Sequence, residues 1–232
     1  MNAPAKPFEV GQLAAEQPFG LSLPARYAGR TVLAIGAHPD DVELGMGGTL
    51  ARLARSGAQV VMAVVSVPSD YATRRREAAR AAQILGAELR VLLDAGCQRI
   101  EEVKSYQLVG LLDNLVRTFR PDAVFTHGTS EFHRDHQIVH AAVSSTQRLR
   151  YFDFFAFHPT MCRPVPVPFH PRVYVDITPT IEAKMEAIAA HESQFGARGL
   201  DVEMYKDIAR MHGRLVGVQY AEGLDVARLL LA

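Results

Sequence analysis

The sequence predicts a three-layer α/β fold with a mostly parallel, Rossmann-like sheet. Short apolar segments such as 31–35 and 59–65 are rich in β-branched residues and show no polar alternation, which is typical of strands buried on both faces. Helix-forming segments follow these strands in regular alternation. The chain has 232 residues, of which 48% are hydrophobic and 22% are charged, as expected for one globular domain.

Residues 1–30 contain four prolines that interrupt any long helix. This segment is therefore predicted to be an irregular leader before a single domain, residues 31–232. In the first half of that domain, apolar residues repeat at helical spacing, and Gly57, Gly86 and Pro121 follow helix ends. The predicted elements are strand 31–35, helix 47–55, strand 59–65, helix 74–85, strand 89–93, helix 103–119, strand 123–126 and helix 136–147.

The alternation of strands and helices weakens after residue 151. The aromatic run 151–155 predicts a buried strand, and five prolines between residues 158 and 171 predict a long surface loop. The remaining predicted elements are strand 173–176, helix 179–191, a loop at 193–200 and a helix that ends near residue 211.

Charge and cysteine content exclude several classes of protein. Lys and Arg together number 25, as do Asp and Glu, so the formal net charge is zero. This balance argues against electrostatic binding to nucleic acid or to an anionic membrane. Cys97 and Cys162 are too few for a disulfide framework. Because the N-terminal segment lacks a signal-peptide core and no apolar run has transmembrane length, we expect a cytoplasmic protein.

A first cluster of metal-binding side chains directly follows the first predicted strand. It contains His38, Asp40, Asp41 and Glu43, with Pro39 restricting the backbone. A histidine nitrogen and a carboxylate oxygen are both zinc ligands in proteins. The alternative interpretation is a turn followed by a helix cap, because Asp is a good N-cap residue.

A second cluster follows the strand that ends at residue 126. Four of the nine histidines in the chain lie between residues 127 and 140, together with two acidic residues. Some of them have the spacing of one helix face, and each alone has a structural alternative. As a group they favour metal binding or acid–base chemistry; they are His127, Glu131, His133, Asp135, His136 and His140.

The two clusters are expected to meet, because the carboxyl ends of parallel strands share one edge of a sheet. A catalytic zinc commonly has three protein ligands and one open position. His38, Asp41 and one histidine of the second cluster supply three ligands, which leaves Asp40 beside the open position. The sequence therefore predicts a site for one zinc ion per chain.

Three other classes fit less well. A dinucleotide-binding loop around Gly45, Gly47 and Gly48 lacks the glycine that the fingerprint needs at Leu50. A metal-dependent phosphoesterase more often binds two metals than one. A structural zinc site usually has four protein ligands, often cysteines.

The sequence resembles the PIG-L/LmbE-type zinc-dependent N-deacetylases. The segment AHPDDVELGMGGTL and the later HRDH carry this resemblance. It extends over roughly residues 31 to 228 through shorter motifs, namely Arg74-x-x-Glu77, Arg120-Pro-Asp122, Val175-Asp-Ile-Thr178, His191-x-Ser-Gln194 and Gln219-Tyr-Ala-Glu222. Two positions depart from the common pattern: Val42 replaces an acid, and Glu131 replaces an Asp. The segment 66–74 is also short.

The resemblance implies that His38, Asp41 and His136 bind zinc and that Asp40 is the general base for a zinc-bound water. It implies further that His133 lies beside the substrate carbonyl and that Asp135 orients either His133 or His136. The residue that returns the proton to the amine stays open between Asp40 and His133.

The implied substrate is a small N-acetylated amino sugar of the N-acetylglucosamine type; the alternative is hydrolysis of another amide, an ester or a phosphoester. Arg74 is an expected substrate contact, although the run 74–76 also fits a solvated helix start. His191 and Glu222 fit either a pocket or a structural role. The family analogy also suggests a homo-oligomer.

Overall fold

The computed structural model describes residues 22–159, 169–197, 199 and 201–231. Most of the predicted leader, most of the proline-rich loop and Cys162 lie outside these residues. The strands are β1 (Thr31–Gly36), β2 (Gln59–Val64), β3 (Glu88–Val91), β4 (Ala123–His127), β5 (Asp153–Phe157), β6 (Val173–Asp176) and β7 (Ala221–Arg228). The helices are α1 (Leu23–Arg26), α2 (Asp41–Arg55), α3 (Tyr71–Leu85), α4 (Ser105–Phe119), α5 (Arg134–Ser145), α6 (Ile181–Ala189) and α7 (Glu203–Val216).

The strands form one sheet in the order β3-β2-β1-β4-β5-β7-β6. The pairs from β3 through β5 are all parallel, whereas β7 is antiparallel to both β5 and β6. This arrangement confirms the predicted Rossmann-like, mostly parallel sheet. Strand β7 was not among the predicted elements. In the resulting order β1 lies beside β4, so the segments that follow these two strands meet at one edge.

Helices cover both faces of the sheet and make two apolar layers. Val32 and Ala34 of β1 pack in the layer that contains α2, α3 and α6. Leu33 and Ile35 pack in the opposite layer, with α4 and α5. Because β1 is buried on both sides, it reads as a continuous apolar run, which is why the sequence revealed it.

Helix α2 begins at Asp41, six residues before the predicted start near Gly47. Its helical geometry breaks at Met46, where φ is −152°. The Glu222 carboxylate accepts hydrogen bonds from the backbone N–H groups of Gly48 (3.0 Å) and Thr49 (2.6 Å) just past this break. A Cβ atom on Gly48 would lie 2.8 Å from Ile177, so the glycines permit close packing at this point.

Several boundaries differ from the predicted ones. The end of the leader contains helix α1, which Ser22 caps by accepting a hydrogen bond from the N–H of Ala25; prolines exclude long helices but tolerate a first turn. Helix α7 runs beyond residue 211 to Val216 and ends at Gly217, whose φ is +80°. Among the described residues, the helices are too short or too polar to cross a bilayer.

Candidate metal centre and active site

The two predicted clusters lie together in a cleft at the carboxyl ends of β1 and β4. Its volume is about 580 Å³. The residues that line it include both acidic and basic side chains, with apolar walls from Leu44, Pro68 and Phe195. The polar lining residues are His38, Asp40, Asp41, Arg74, Arg99, Glu101, His133, Arg134, Asp135, His136 and Gln194.

His38, Asp41 and His136 form the inner cluster of this cleft. One potential ligand atom from each lies within 4.8 Å of the others. Nε2 of His136 is 3.2 Å from Oδ1 of Asp41, and the backbone N–H of His38 donates to Oδ2 of Asp41 at 2.8 Å. The structure thus brings together the three residues expected to bind metal.

Burial and neighbouring charges shift the pKa values of Asp41, His136 and His127 in different directions. Burial alone would raise the pKa of Asp41, but His136 and His127 lower it well below its usual value. Burial would lower the pKa of His136, yet the carboxylates of Asp41 and Glu131 raise it to about 10. Burial lowers the pKa of His127 to about 4. The carboxylate of Asp41 is therefore ionised beside His136, which suits a cation.

Asp40 lies next to this cluster but outside its ligand set. Its backbone is left-handed, with φ at 99°, which is uncommon for any residue other than glycine and recurs at functional sites. The side chain of Arg74 approaches it from α3: Nη2 donates to the carbonyl of Pro39 at 3.2 Å and lies 3.7 Å from Oδ2 of Asp40. Burial, together with the charge of Asp41, raises the pKa of Asp40 to about 7.

His133 and Asp135 lie on the open side of the cluster. Nδ1 of His133 accepts a hydrogen bond from the backbone N–H of Asp135 at 3.2 Å. Because Nδ1 is an acceptor, Nε2 carries the ring proton of neutral His133. Burial, and then the proximity of His136 and His38, lowers the pKa of His133. His133 is thus a neutral hydrogen-bond donor toward the cleft.

The carboxylate of Asp135 contacts a different histidine from the two expected. Its Oδ2 accepts a hydrogen bond from Nε2 of His38 at 2.9 Å, while only its backbone N–H contacts His133. The hydrogen bond to His38 lowers the pKa of Asp135. The carboxylate of Asp135 therefore contacts His38, on the segment after β1, and not the rings of His133 or His136; its expected role in orienting one of those two histidines stays a prediction.

Two further residues of the second cluster, His127 and Glu131, are buried on the side of His136 away from the cleft. The ring of His127 stacks on that of His136 with centroids 3.9 Å apart, and its Nε2 accepts the backbone N–H of Ala37 at 2.9 Å. Oε2 of Glu131 lies 3.2 Å from Nδ1 of His136. The clustering of histidines in the sequence indicated the site. It did not show which histidines would line the cleft and which would be buried behind His136.

The shorter motifs of the resemblance hold the helices around the cleft in place. Glu77 on α3 accepts hydrogen bonds from the backbone N–H and the hydroxyl of Ser193, at 2.8 and 2.7 Å. Nε2 of His191 lies 2.9 Å from Oε1 of Glu43 on α2. Glu222 binds α2 and the buried ammonium group of Lys184. His191 and Glu222 therefore have structural contacts, and neither lines the cleft.

The donor set fits zinc. Imidazole nitrogen and carboxylate oxygen are its usual ligands outside cysteine sites, and three protein ligands are typical of catalytic zinc. Each histidine of the inner cluster also has a carboxylate at its second nitrogen, Asp135 for His38 and Glu131 for His136. Histidines that bind metals generally have such a partner.

The fold and the cleft define a Rossmann-like α/β protein with a cluster of three potential metal ligands at the carboxyl edge of its sheet. The model of the PIG-L family, described as GlcNAc-PI de-N-acetylase, matches residues 33–146, which carry both clusters. Residues 33–146 of the chain are therefore assigned to this PIG-L/LmbE-type family.

Three proteins illustrate what this chain is similar to. The chain is 29% identical over 223 residues to the diacetylchitobiose deacetylase of Thermococcus kodakarensis, a match that covers 84% of this chain and 82% of that protein. The N,N′-diacetylchitobiose deacetylase of Pyrococcus horikoshii superposes with a TM-score of 0.70 at 24% identity, covering 90% and 87% of the two chains. The 4-carboxy-2-hydroxymuconate hydratase GalB of Pseudomonas putida has the same TM-score at 21% identity, covering 88% and 98%. The last two similarities show the fold.

Proposed function

We propose that this protein is a zinc-dependent hydrolase that removes the N-acetyl group from an amino-sugar-containing molecule. The observation that carries the proposal is the inner cluster, His38, Asp41 and His136, with Asp40 beside it and outside the ligand set. Membership of a family whose model is described as a de-N-acetylase supports the reaction. The diacetylchitobiose deacetylase relative supports an N-acetylated sugar as substrate. The proposed catalytic domain is residues 31–232.

His38, Asp41 and His136 would hold one zinc ion. When bound, zinc lowers the pKa of water from about 15.7 toward about 7 and polarises a carbonyl group. Asp40 accepts the proton of the attacking water, since its carboxylate faces the cleft and is not a ligand. A positioned general base contributes about 10²–10⁴-fold to such reactions.

His133 and Asp40 have different roles in the rest of the reaction: His133 stabilises the carbonyl oxygen, and Asp40 transfers the proton. The Nε2–H group of His133 donates a hydrogen bond to the carbonyl oxygen as negative charge develops there. His133 is a poor general acid for protonating the leaving amine, because its Nδ1 accepts a backbone hydrogen bond and its pKa is lowered. Asp40, whose pKa is raised by burial to about 7, both accepts the proton and returns it to the leaving amine as the C–N bond breaks.

The walls of the cleft suit a polar molecule with an apolar face. Leu44 and Phe195 offer apolar surface, and Gln194 and Arg74 offer hydrogen-bond donors. Arg74 is the proposed substrate contact because it lines the cleft beside Asp40. Sugar rings combine these same properties, with hydroxyl groups at the edge and C–H groups on the face.

Acetate release is the test of this function. The zinc-loaded and the chelator-treated protein are each incubated with N-acetylglucosamine, N,N′-diacetylchitobiose and a nucleotide-linked N-acetylglucosamine. We expect acetate from at least one sugar, in the zinc-loaded sample alone. p-Nitrophenyl acetate and p-nitrophenyl phosphate serve as parallel substrates. Turnover of either ester without acetate release from any sugar would contradict the deacetylase proposal and favour the alternative hydrolase.

A further inference from the structure

Glu131 is a buried acid that the proposed reaction does not use. It lies between β4 and α5 and is 1% exposed. Its backbone carbonyl accepts a hydrogen bond from the side-chain amide of Gln137 at 2.7 Å, which fixes this short connection against α5. An ionised carboxylate is costly to bury unless cationic or hydrogen-bonding groups surround it, so its neighbours indicate its role.

Two imidazole rings flank the carboxylate of Glu131. Oε2 lies 3.2 Å from Nδ1 of His136, and Oε1 lies 3.5 Å from Nδ1 of His158, which is 4% exposed at the end of β5. Both contacts are to the δ nitrogen of the ring. The carboxylate thus bridges a residue of the inner cluster and a histidine outside it.

The two nitrogens of His136 have different neighbours. Nε2 faces Asp41, at 3.2 Å from Oδ1, whereas Nδ1 faces Glu131. The stacked ring of His127, 3.9 Å away, occupies one face of the imidazole. A carboxylate at one nitrogen selects the tautomer that leaves the other nitrogen as a metal ligand, and it raises the basicity of that ligand.

We propose that Glu131 is a positioning residue that directs Nε2 of His136 toward the metal, with His158 near the other carboxylate oxygen. This inference rests on the proposed zinc site but not on the identity of the substrate. Glu131 stands where the resembling family commonly has an aspartate, and its carboxylate reaches within 3.2 Å of Nδ1 of His136.

Zinc affinity measured without substrate tests the proposal. Glu131→Gln keeps the size of the side chain and removes its charge, and Glu131→Asp keeps the charge and shortens the reach. Glu88→Gln, on the exposed edge strand β3, is the matched control. Zinc dissociation constants come from competition with a chromophoric chelator, and the melting temperature of each metal-free protein is recorded alongside.

We expect Glu131→Gln to weaken zinc binding by about 10–100-fold, as the loss of such a partner typically does. Glu131→Asp is expected to bind with an affinity between that variant and the wild type, and Glu88→Gln to match the wild type. The metal-free melting temperature of Glu131→Gln should change much less than the zinc affinity.

Unchanged zinc affinity in both Glu131 variants would overturn the positioning role, whatever their melting temperatures. Equal weakening in Glu131→Gln and Glu88→Gln would overturn it as well. A wild-type protein that binds zinc but releases no acetate would contradict the proposed function and leave the affinity comparison decisive for Glu131. A wild-type protein that binds no zinc would overturn both.

Discussion

Asp40 combines three properties that are uncommon for an aspartate. Its backbone is left-handed, its side chain is largely buried, and its carboxylate lies between the like charge of Asp41 and the opposite charge of Arg74. Strained, desolvated carboxylates concentrate at sites where a proton is moved. Although Asp40 and Asp41 are adjacent in sequence, this backbone conformation points their side chains in different directions. We therefore expect Asp40 to act as the general base and Asp41 as a metal ligand.

Replacement of Asp40 by asparagine is expected to distinguish proton transfer from metal binding. Asp40→Asn should retain zinc, because its carboxylate is outside the inner cluster, and should lose about 10²–10⁴-fold in turnover, because asparagine accepts no proton. Zinc content by elemental analysis and acetate release are measured on the same preparation. Near-normal turnover in a variant that retains zinc would remove Asp40 from the proposed mechanism.

At the scale of secondary-structure elements, the buried half of the sheet was predictable. β1, β2 and β4 are apolar on both faces, so their sequences carry the signal directly. β7 was missed because its sequence, AEGLDVAR, mixes charges with small residues; it is stabilised by pairing with β5 and β6 rather than by its own composition. The first six residues of α2, 41–46, were missed because they contain Gly45, a weak helix former, and end at the break in helical geometry at Met46.

The sequence predicted which residues form the site, but it did not predict which of them contact each other. His38, Asp41 and His136 carry ligand chemistry and follow neighbouring strands, which is enough to expect them together. The contact between Asp135 and His38 depends on the relative position of α5 and β1, and no local pattern records it. The same holds for Glu131, whose role requires knowing which nitrogen of His136 faces which carboxylate.

The segment that follows α6 is joined to helix α2 by a buried contact between His191 and Glu43. Burial would lower the pKa of His191, but the charge of Glu43 and its hydrogen bond raise the pKa above the usual value. The unfolded imidazole titrates near 6.5. The contribution of the protonated His191 to the free energy of unfolding is therefore complete below that pH and is lost as the pH rises through the raised value.

His191→Asn should accordingly destabilise the protein more at low pH than at high pH. We expect a loss of about 1.5–3 kcal/mol in the free energy of unfolding at the acidic end, as for a hydrogen bond to a charged group, and a smaller loss at pH 9. Urea unfolding at pH 6 and pH 9, with chelator present, measures the difference. His170→Asn, at an exposed position, is the control. A loss of equal size at both pH values would contradict the assignment.

At the scale of the whole molecule, the parts of the chain before and after the proline-rich loop have different tasks. The part before the loop carries the inner cluster and Asp40 on the segments that follow β1 and β4. The part after the loop contacts the first part through buried and partly buried hydrogen bonds, which include Glu222 with the break in α2, His191 with Glu43, and Ser193 with Glu77. The proposed metal ligands His38 and His136, which are 98 residues apart in sequence, are therefore held by the tertiary structure and by no local motif.

This dependence on tertiary structure predicts that zinc stabilises the whole molecule. Zinc that binds the folded chain alone adds RT ln(1 + [Zn]/Kd), or about 2.7 kcal/mol at a free concentration 100 times Kd. We expect the melting temperature of the chelator-treated protein to rise when zinc is added, with one zinc bound per chain. His136→Ala should lose this rise. His140→Ala, on the same helix but outside the inner cluster, should keep it. A full zinc-dependent rise in His136→Ala would assign the third ligand to another residue, because a site that lacks one of three ligands cannot couple metal binding to folding with undiminished strength.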